Sequence, residues 1–464
     1  MTIIYRKNMA LKDSTFLGTE NIGRLLLRLS WPAVISTVIN MLYNLVDRVY
    51  IGNGVGKEAL AGLALTMPIM IIIAASGMMG GVGTGAVISI FLGQQKKEEA
   101  EKALGQLMFL CLMSVITLQI LALVFLDKIL LGFGGNAGTI PYAHSYLSII
   151  LWGSIFQHLS FSFAAQLRAE GNANKCMTTI LIGAISNIIL DPIFIFVFKL
   201  GIAGAAYATI LSMMISSSFV LYHFITGKGV IRLRLKNIKP NPRLIWRIVS
   251  IGLSPCCVQF ASSAINIAAN RCFNAYSATQ ELANDGIACW SIVLSVNFIF
   301  ITPLFGLAQG MQPIVGYNFG AKNWGRVRQA YKTALITGII ICSCATVILF
   351  TFAPYFVRCF NQTPSLVAMG SRGIRILMTT FPLIAIDILT FNYFQAIGKA
   401  TVSICLSLLR QIVFFLPALI ILSHFTGIHN IWWCIPIADF AAIICASTIA
   451  IYTLHKLKLS SHNS

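Results

Sequence analysis

Unbroken apolar stretches, each about 20 residues long, recur along almost the whole of this chain, from residue 26 to residue 454. A helix of that length, rising 1.5 Å per residue, crosses a hydrocarbon core of roughly 30 Å. The charge content agrees: only 10% of the 464 residues are charged and 57% are hydrophobic, against about 25% and 45–50% in a soluble domain. So little charge cannot cover a soluble surface, and lipid has to cover it instead. The stretches are continuous Ile, Leu, Phe, Met and Ala without period-2 alternation, which selects helices over a membrane barrel. The expectation is an all-α integral membrane protein of twelve transmembrane helices, near 26–46, 60–82, 103–126, 143–165, 177–198, 203–225, 249–270, 286–311, 333–354, 373–394, 402–423 and 432–454.

The polar breaks carry an orientation. With the amino terminus inside, Arg6, Lys7, Lys12, Arg24 and Arg28, the loops at Lys96–Lys102, Arg168–Lys175 and Lys322–Lys332, Lys399, and Lys456 with Lys458 fall on one side. The seven basic residues of Lys228–Arg247 join them. The opposite side holds far fewer, among them Arg48, Lys57 and Arg271. The positive-inside rule therefore predicts a multi-pass protein of the cell (cytoplasmic) membrane with both termini cytoplasmic. It also accounts for the net charge of +19 without nucleic acid, because the charges sit in short interhelical loops rather than on one folded face. The polar, basic segment Met1–Arg28 reads as a leader into a retained first span, not a cleaved signal.

The stretch KGVIRLRLKNIKPNPRLIWR divides the chain into an amino-terminal lobe, 1–226, a cytoplasmic linker, 227–248, and a carboxy-terminal lobe, 249–464, with six spans in each lobe. The halves echo each other. Ser30 with Pro32 corresponds to Leu253 with Pro255, Asp47-Arg48 to Asn270-Arg271, Gly83 to Gly310, Gly93 to Gly320, Gly171 to Gly398, and Asp191-Pro192 to Leu416-Pro417. The offsets of 223, 227 and 225 residues describe one duplicated register with small insertions. An even number of spans per half gives two pseudo-symmetric lobes in the same orientation, an architecture that suits alternating access.

Ionisable groups inside hydrocarbon are costly, about 2.5–3.5 kcal/mol even on insertion scales, and they normally face a cavity, a partner or an ion. Four acids stand in or beside apolar stretches: Asp47, Asp191, Asp387 and Asp439. Asp191 lies in ILIGAISNIILDPIFIFVF, with Asn187 one turn earlier on the same face and Pro192 next to it, where a missing backbone donor frees carbonyls. This set predicts cation coordination or proton exchange. Asp47 and Arg48 are neighbours in sequence and so occupy different helix faces, which leaves Asp47 able to point inward. Asp387, with Tyr393, offers charge and an aromatic face to a cationic substrate, while Asp439 alone says less.

Other features read as structure. Gly77, Gly80, Gly81, Gly83 and Gly85 permit close helix contact and lack the strand and lysine of a phosphate loop. The twelve Cys show no zinc or disulfide spacing and read as small buried residues, and His158 reads as a packing or hydrogen-bonding group. There is neither HExxH nor a persuasive Ser/His pair, so neither an enzyme nor a cofactor is expected, and no oligomerisation signal departs from a single chain in lipid.

Across essentially its whole length the chain resembles the multidrug and toxic compound extrusion family, most of all its bacterial multidrug exporters. The resemblance is carried by LSWPAVISTVINMLYNLVDRVYIG, by GVGTGAVISIFLGQ with its repeat partner AQGMQPIVGYNFGAKN, and by RAEGN and SNIILDP. It implies an antiporter that exports diverse lipophilic, mostly cationic compounds against inward sodium or proton movement. The family's amino-lobe cation site would fall on Asp47, Asn187, Asp191 and Thr209, the last of which comes from the resemblance alone. If sodium is the coupling ion, Asp47 and Asp191 would be its metal ligands. Some members carry acids in the seventh span, but QFASSAINIAANRCFNAY has none here. The alternative is a lipid-linked saccharide flippase of the same superfamily, which would want several Arg or Lys within its spans, and here Arg410 is the main one.

Overall fold

The computed structural model describes residues 14–133 and 135–462; Arg6, Lys7 and Lys12 of the basic amino-terminal segment lie outside them. Among the described residues the regular structure is helical throughout. In the first half the long helices are α1 (Ile22–Gly54), α2 (Lys57–Gly93), α3 (Lys97–Val124), α4 (Ile140–Ala169), α5 (Ala173–Pro192) and α6 (Gly201–Thr226). In the second they are α7 (Pro242–Tyr276), α8 (Gln280–Gly320), α9 (Trp324–Arg358), α10 (Pro364–Leu377), α11 (Phe381–Ala396), α12 (Ala400–Thr426) and α13 (Cys434–His462). Most outrun the apolar windows because helical bonding continues into the polar flanks. Thr279, for example, caps α8 by accepting from the Leu282 amide at 3.2 Å.

The tenth span differs from its single predicted helix. It consists of α10 and α11, bent by 56° at the break between them. Pro382 at the start of α11 supplies the reason, since it has no amide to give to Met378 and its ring crowds that carbonyl. Among the described residues, counting the pair as one span gives twelve, and without it there are eleven helices long and apolar enough to cross a membrane. Two other spans are locally widened into π-helix: α5 passes into Ile193–Val197 directly after Pro192, and α12 is π-helical over Leu409–Phe415, just ahead of Pro417.

The chain divides into two compact units. Among the described residues, one comprises 14–20 and those of Trp31–Gly252, the other Asn21–Ser30 and 253–462. Each unit thus includes the first turns of a helix whose remainder belongs to its counterpart: α7 begins in the first unit and α1 in the second.

Within the first unit the start of α7 crosses α2 at a pair of glycines. A methyl group on Gly83 would stand 2.1 Å from the Ile248 carbonyl oxygen, and one on Gly252 would stand 1.9 Å from that of Met79. Within the second unit Gly310, the repeat partner of Gly83, lies against Ser30, where a methyl group would be 2.7 Å from the backbone nitrogen. The glycine-rich stretch of α2 also receives α4. Ser162 Oγ donates to the Gly77 carbonyl at 2.8 Å and Gln166 Nε2 to that of Gly81 at 2.8 Å. Missing side chains expose these carbonyls, and small residues let backbones approach where apolar attraction between helices is weak.

The predicted linker is shorter than 227–248, because Asn241 and Pro242 start α7 in the usual cap and first-turn roles, with Asn241 Oδ1 accepting from the Leu244 amide at 3.3 Å. What remains is fastened to the first unit by acceptors and donors on α3 and α4. Gln106 Nε2 donates to the carbonyls of Asn237 at 2.9 Å and Lys239 at 2.8 Å, while its Oε1 accepts from the Asn241 amide at 2.8 Å. Glu101 pairs with Arg234 at 2.8 Å and accepts from the Arg232 amide at 3.2 Å. Buried Glu170 holds His223 at 2.7 Å and the Val230 amide at 3.1 Å.

Gly83→Ala and Gly252→Ala each press a methyl group into a backbone carbonyl, an overpacking cost of about 1–3 kcal/mol. Each should lower the thermal unfolding midpoint in detergent, whereas Gly132→Ala, with no atom within 4 Å of the added carbon, should leave it unchanged. Gln106→Leu removes three bonds to the linker at once. Limited trypsinolysis of the folded protein should then cut faster after Arg234 and Lys236 than in the wild type; unchanged cleavage would mean that Glu101 and Glu170 suffice to hold the segment.

Candidate functional site

The first unit gathers polar side chains from four helices around α5. Asn187 and Asp191 are one turn apart and almost wholly buried, at 1% and 0% exposure. Asn187 Nδ2 donates to Asp191 Oδ1 at 3.1 Å and reaches Thr209 Oγ1 on α6 at 3.5 Å. From α1, the Asp47 carboxyl is a direct neighbour of that of Asp191. The structure therefore brings together Asp47, Asn187, Asp191 and Thr209, three reached by spacing and one by resemblance.

Two tyrosines complete the cluster. Tyr43, one turn before Asp47 on α1, faces both carboxyl groups. Tyr146 on α4 lies beside Thr209 and the same acids. Sequence reasoning missed both. Tyr43 could have been found from its i, i+4 relation to Asp47, but Tyr146 sits in an ordinary span sequence with no signal of its own. Around one side the cluster is closed by apolar packing of Ile51, Leu63, Tyr146, Ile150, Ile195 and Ile202.

The donors in this cluster do not match its acceptors. Asp47 Oδ1, Asp191 Oδ2 and Asn187 Oδ1 are buried without a hydrogen-bond partner among the described residues. Arg48 directs a nitrogen at Met67 Sδ, 3.9 Å away, from an exposed position, consistent with its being on another face of α1. Two adjacent carboxyl groups with three unsatisfied oxygens about them form an acceptor-rich pocket that a proton or a small cation would complete. The π-helical turn after Pro192 loosens the regular bonding of α5 from two residues beyond the acid, and such turns recur at functional positions.

In the second unit Asp387 and Tyr393 lie on α11 at 2% exposure each. Neither is open to a drug-sized molecule in this conformation, because α11 is packed on most of its surface. Asp387 belongs instead to an ionic cluster. Arg410 Nε, in the π-helical part of α12, stands 2.7 Å from Asp439 Oδ1 and 3.9 Å from Asp387 Oδ2. Tyr393 packs at a tilt of 41° against Tyr331, ring centroids 4.7 Å apart, and Tyr331 shares a 2.6 Å hydrogen bond with Thr390.

His158 on α4 is a structural link. Its Nδ1–H donates to the Ser154 carbonyl at 3.0 Å, which leaves Nε2 to accept from the Ser76 hydroxyl of α2 at 2.6 Å. The twelve cysteines stand free, and among the described residues no group of three or more His, Cys, Asp or Glu forms a metal-ligand cluster.

With this geometry in view, comparison with known proteins is specific. Residues 32–193 and 274–420 match the family model MatE. Multidrug export protein MepA of Staphylococcus aureus (strain MRSA252) is 26% identical over 425 residues, covering 91% of this chain and 92% of that protein. MepA of Staphylococcus saprophyticus is 23% identical over 438 residues, 94% of each. Among solved structures, the outward-facing conformation of a multidrug resistance MATE family transporter of the MOP superfamily gives a TM-score of 0.90 at 26% identity, covering 96% of this chain and 99% of that one. A MOP superfamily transporter from Pyrococcus furiosus Vc1 gives 0.89 at the same identity and coverage.

Proposed function

The chain belongs to the MATE family of multidrug export transporters, and from that membership we propose that it is a cation-coupled antiporter exporting lipophilic, mostly cationic compounds across the cytoplasmic membrane. The observation that carries the proposal is the pairing of Asp47 with buried Asp191, neighbouring carboxyl groups each with one oxygen, Asp47 Oδ1 and Asp191 Oδ2, that is buried and takes no hydrogen bond from a donor among the described residues. In hydrocarbon such a pair calls for positive charge. Protons or sodium ions arriving from outside offset its charge, and their departure to the cytoplasm restores the unsatisfied state.

Asn187 orients Asp191, Thr209 and Tyr146 frame the pocket from α6 and α4, and Tyr43 covers it from α1. Loading changes the hydrogen bonds of α5 where Pro192 and the π-helical turn already weaken its bonding, so the ion favours one arrangement of the helices over another. Export follows if the substrate favours the other arrangement, with no contact between ion and substrate needed. Each charge crossing the membrane potential supplies about 2.3 kcal/mol per 100 mV, which makes one or two ions a useful drive. Asp387 and Tyr393 can supply charge and an aromatic face to the substrate only in a state that uncovers them. The flippase reading finds less support, since Arg410, the basic residue it would use, is held by Asp439.

The test is efflux of a fluorescent lipophilic cation from proteoliposomes under separate proton and sodium gradients. Wild-type protein should export under one of them, and Asp191→Asn should reduce gradient-driven efflux at least tenfold while keeping a monodisperse folded profile. Retained coupling in a correctly inserted Asp191→Asn variant would remove the amino-unit pair from the mechanism. Absence of efflux by folded wild type under either gradient would favour a lipid-linked substrate.

A further inference from the structure

The second unit holds two intramembrane acids, as the first does, but balances them differently. Asp387 on α11, Arg410 on α12 and Asp439 on α13 form a buried triad, with both acids at 2–3% exposure. Asp439 is well served: Oδ1 takes Arg410 Nε at 2.7 Å and Oδ2 accepts from Thr380 Oγ1 at 3.3 Å. Asp387 is not. Its Oδ2 is 3.9 Å from Arg410, and its Oδ1 is buried with no hydrogen-bond partner among the described residues. The charged groups that face Asp387 are Arg410 and Asp439, and from α9 the nearby Tyr331 is tied to Thr390.

With both acids ionised the triad carries one net negative charge, and one more positive charge balances it. Without the guanidinium, the two carboxylates and Thr380 Oγ1 would present five oxygens to one another, the ligand type that hard cations take. A guanidinium cannot lose its charge in a protein. While it remains between the acids, a metal ion would have to share their oxygens with a fixed positive charge.

We propose that Arg410 is the resident cation of the carboxy-terminal unit, holding the place between Asp387 and Asp439 that an exchangeable sodium ion would otherwise occupy, so that this unit takes a single proton at Asp387 and excludes sodium. Exchange of a metal ion is then confined to the amino-terminal pair. This rests on the reading of the chain as a cation-coupled antiporter for its significance, but the test below runs with the amino-terminal pair disabled, so the two can fail separately.

In an Asp47→Asn/Asp191→Asn background, saturable binding of radioactive sodium to purified protein should be absent with Arg410 in place. Adding Arg410→Gln should create a saturable sodium site, and adding Asp387→Asn should remove it again. Arg410→Lys, which keeps the positive charge, should bind none. Sodium binding that depends on Asp387 while Arg410 is present would overturn the proposal, as would a folded Arg410→Gln protein that binds no sodium. Should Arg410→Gln fail to fold, proton uptake decides the matter in the Arg410-intact background. A downward pH jump should load one proton fewer per molecule when Asp387→Asn is added, unaffected by replacing choline with sodium. Equal proton uptake with and without Asp387, or uptake reduced by sodium, would overturn it.

Discussion

Hydrocarbon offers no hydrogen bonds, so each polar group that this chain carries into the membrane must be satisfied by the chain or left for an ion, water or substrate. The structure follows that constraint at small scale throughout. Serines and threonines in the spans return their hydroxyls to carbonyls three or four residues back, as Ser36 does to Pro32 at 2.7 Å and Ser423 to Leu419 at 2.6 Å. Others tie helices together, as in Ser160 with Ser216 at 2.7 Å and Ser254 with Ser403 at 2.9 Å. Among the buried side-chain atoms of the described residues left without a partner, the carboxylate oxygens are Asp47 Oδ1, Asp191 Oδ2 and Asp387 Oδ1, and they mark both polar clusters.

The duplication preserved backbone contacts more faithfully than chemistry. Gly83 and Gly310 stand at matching places in the two repeats, and each admits the first turns of a helix at a distance no side chain could tolerate. The intramembrane acids have no such correspondence, Asp47 matching Asn270. Asp191 matches Leu416, and the prolines beside them match, yet the π-helical turn follows the proline in α5 and precedes it in α12. Close packing is a requirement both halves share, whereas an ion site needs a particular charge sum and is free to differ once one half supplies it.

How much of this could be read from the chain depended on whether the relevant contact is local. Spans are local, and apolar length located them. The bend at Met378–Thr380 was not visible, since a hydropathy window registers composition and is blind to direction. Asn187 and Asp191 were legible because four residues is one turn, and the neighbourhood of Asp47 was legible from the cost of its charge. Tyr146 was not, because its role arises from the packing of α4 against α6. The linker read as a basic tether, but Gln106 lies more than a hundred residues earlier in sequence and nothing in its own surroundings announces three bonds to that segment. Likewise Arg410 looked like a lone charge within a span, and only the fold sets it between two acids.

That last pairing changes how the intramembrane charge should be counted. Four acids and one arginine suggest a chain with a large internal deficit of positive charge, and a residue-by-residue reading would assign each acid the same need. The geometry divides them unequally. The amino-terminal acids neighbour each other with one oxygen of each lacking a donor, while one carboxy-terminal acid is closed by a guanidinium and a hydroxyl and its companion keeps a single empty oxygen. A buried ion pair is seldom a large source of stability, because desolvation offsets most of its attraction. Its consequence here is to reduce the charge that one unit has to obtain from outside, which leaves the pair on α1 and α5 with the greater demand for an ion.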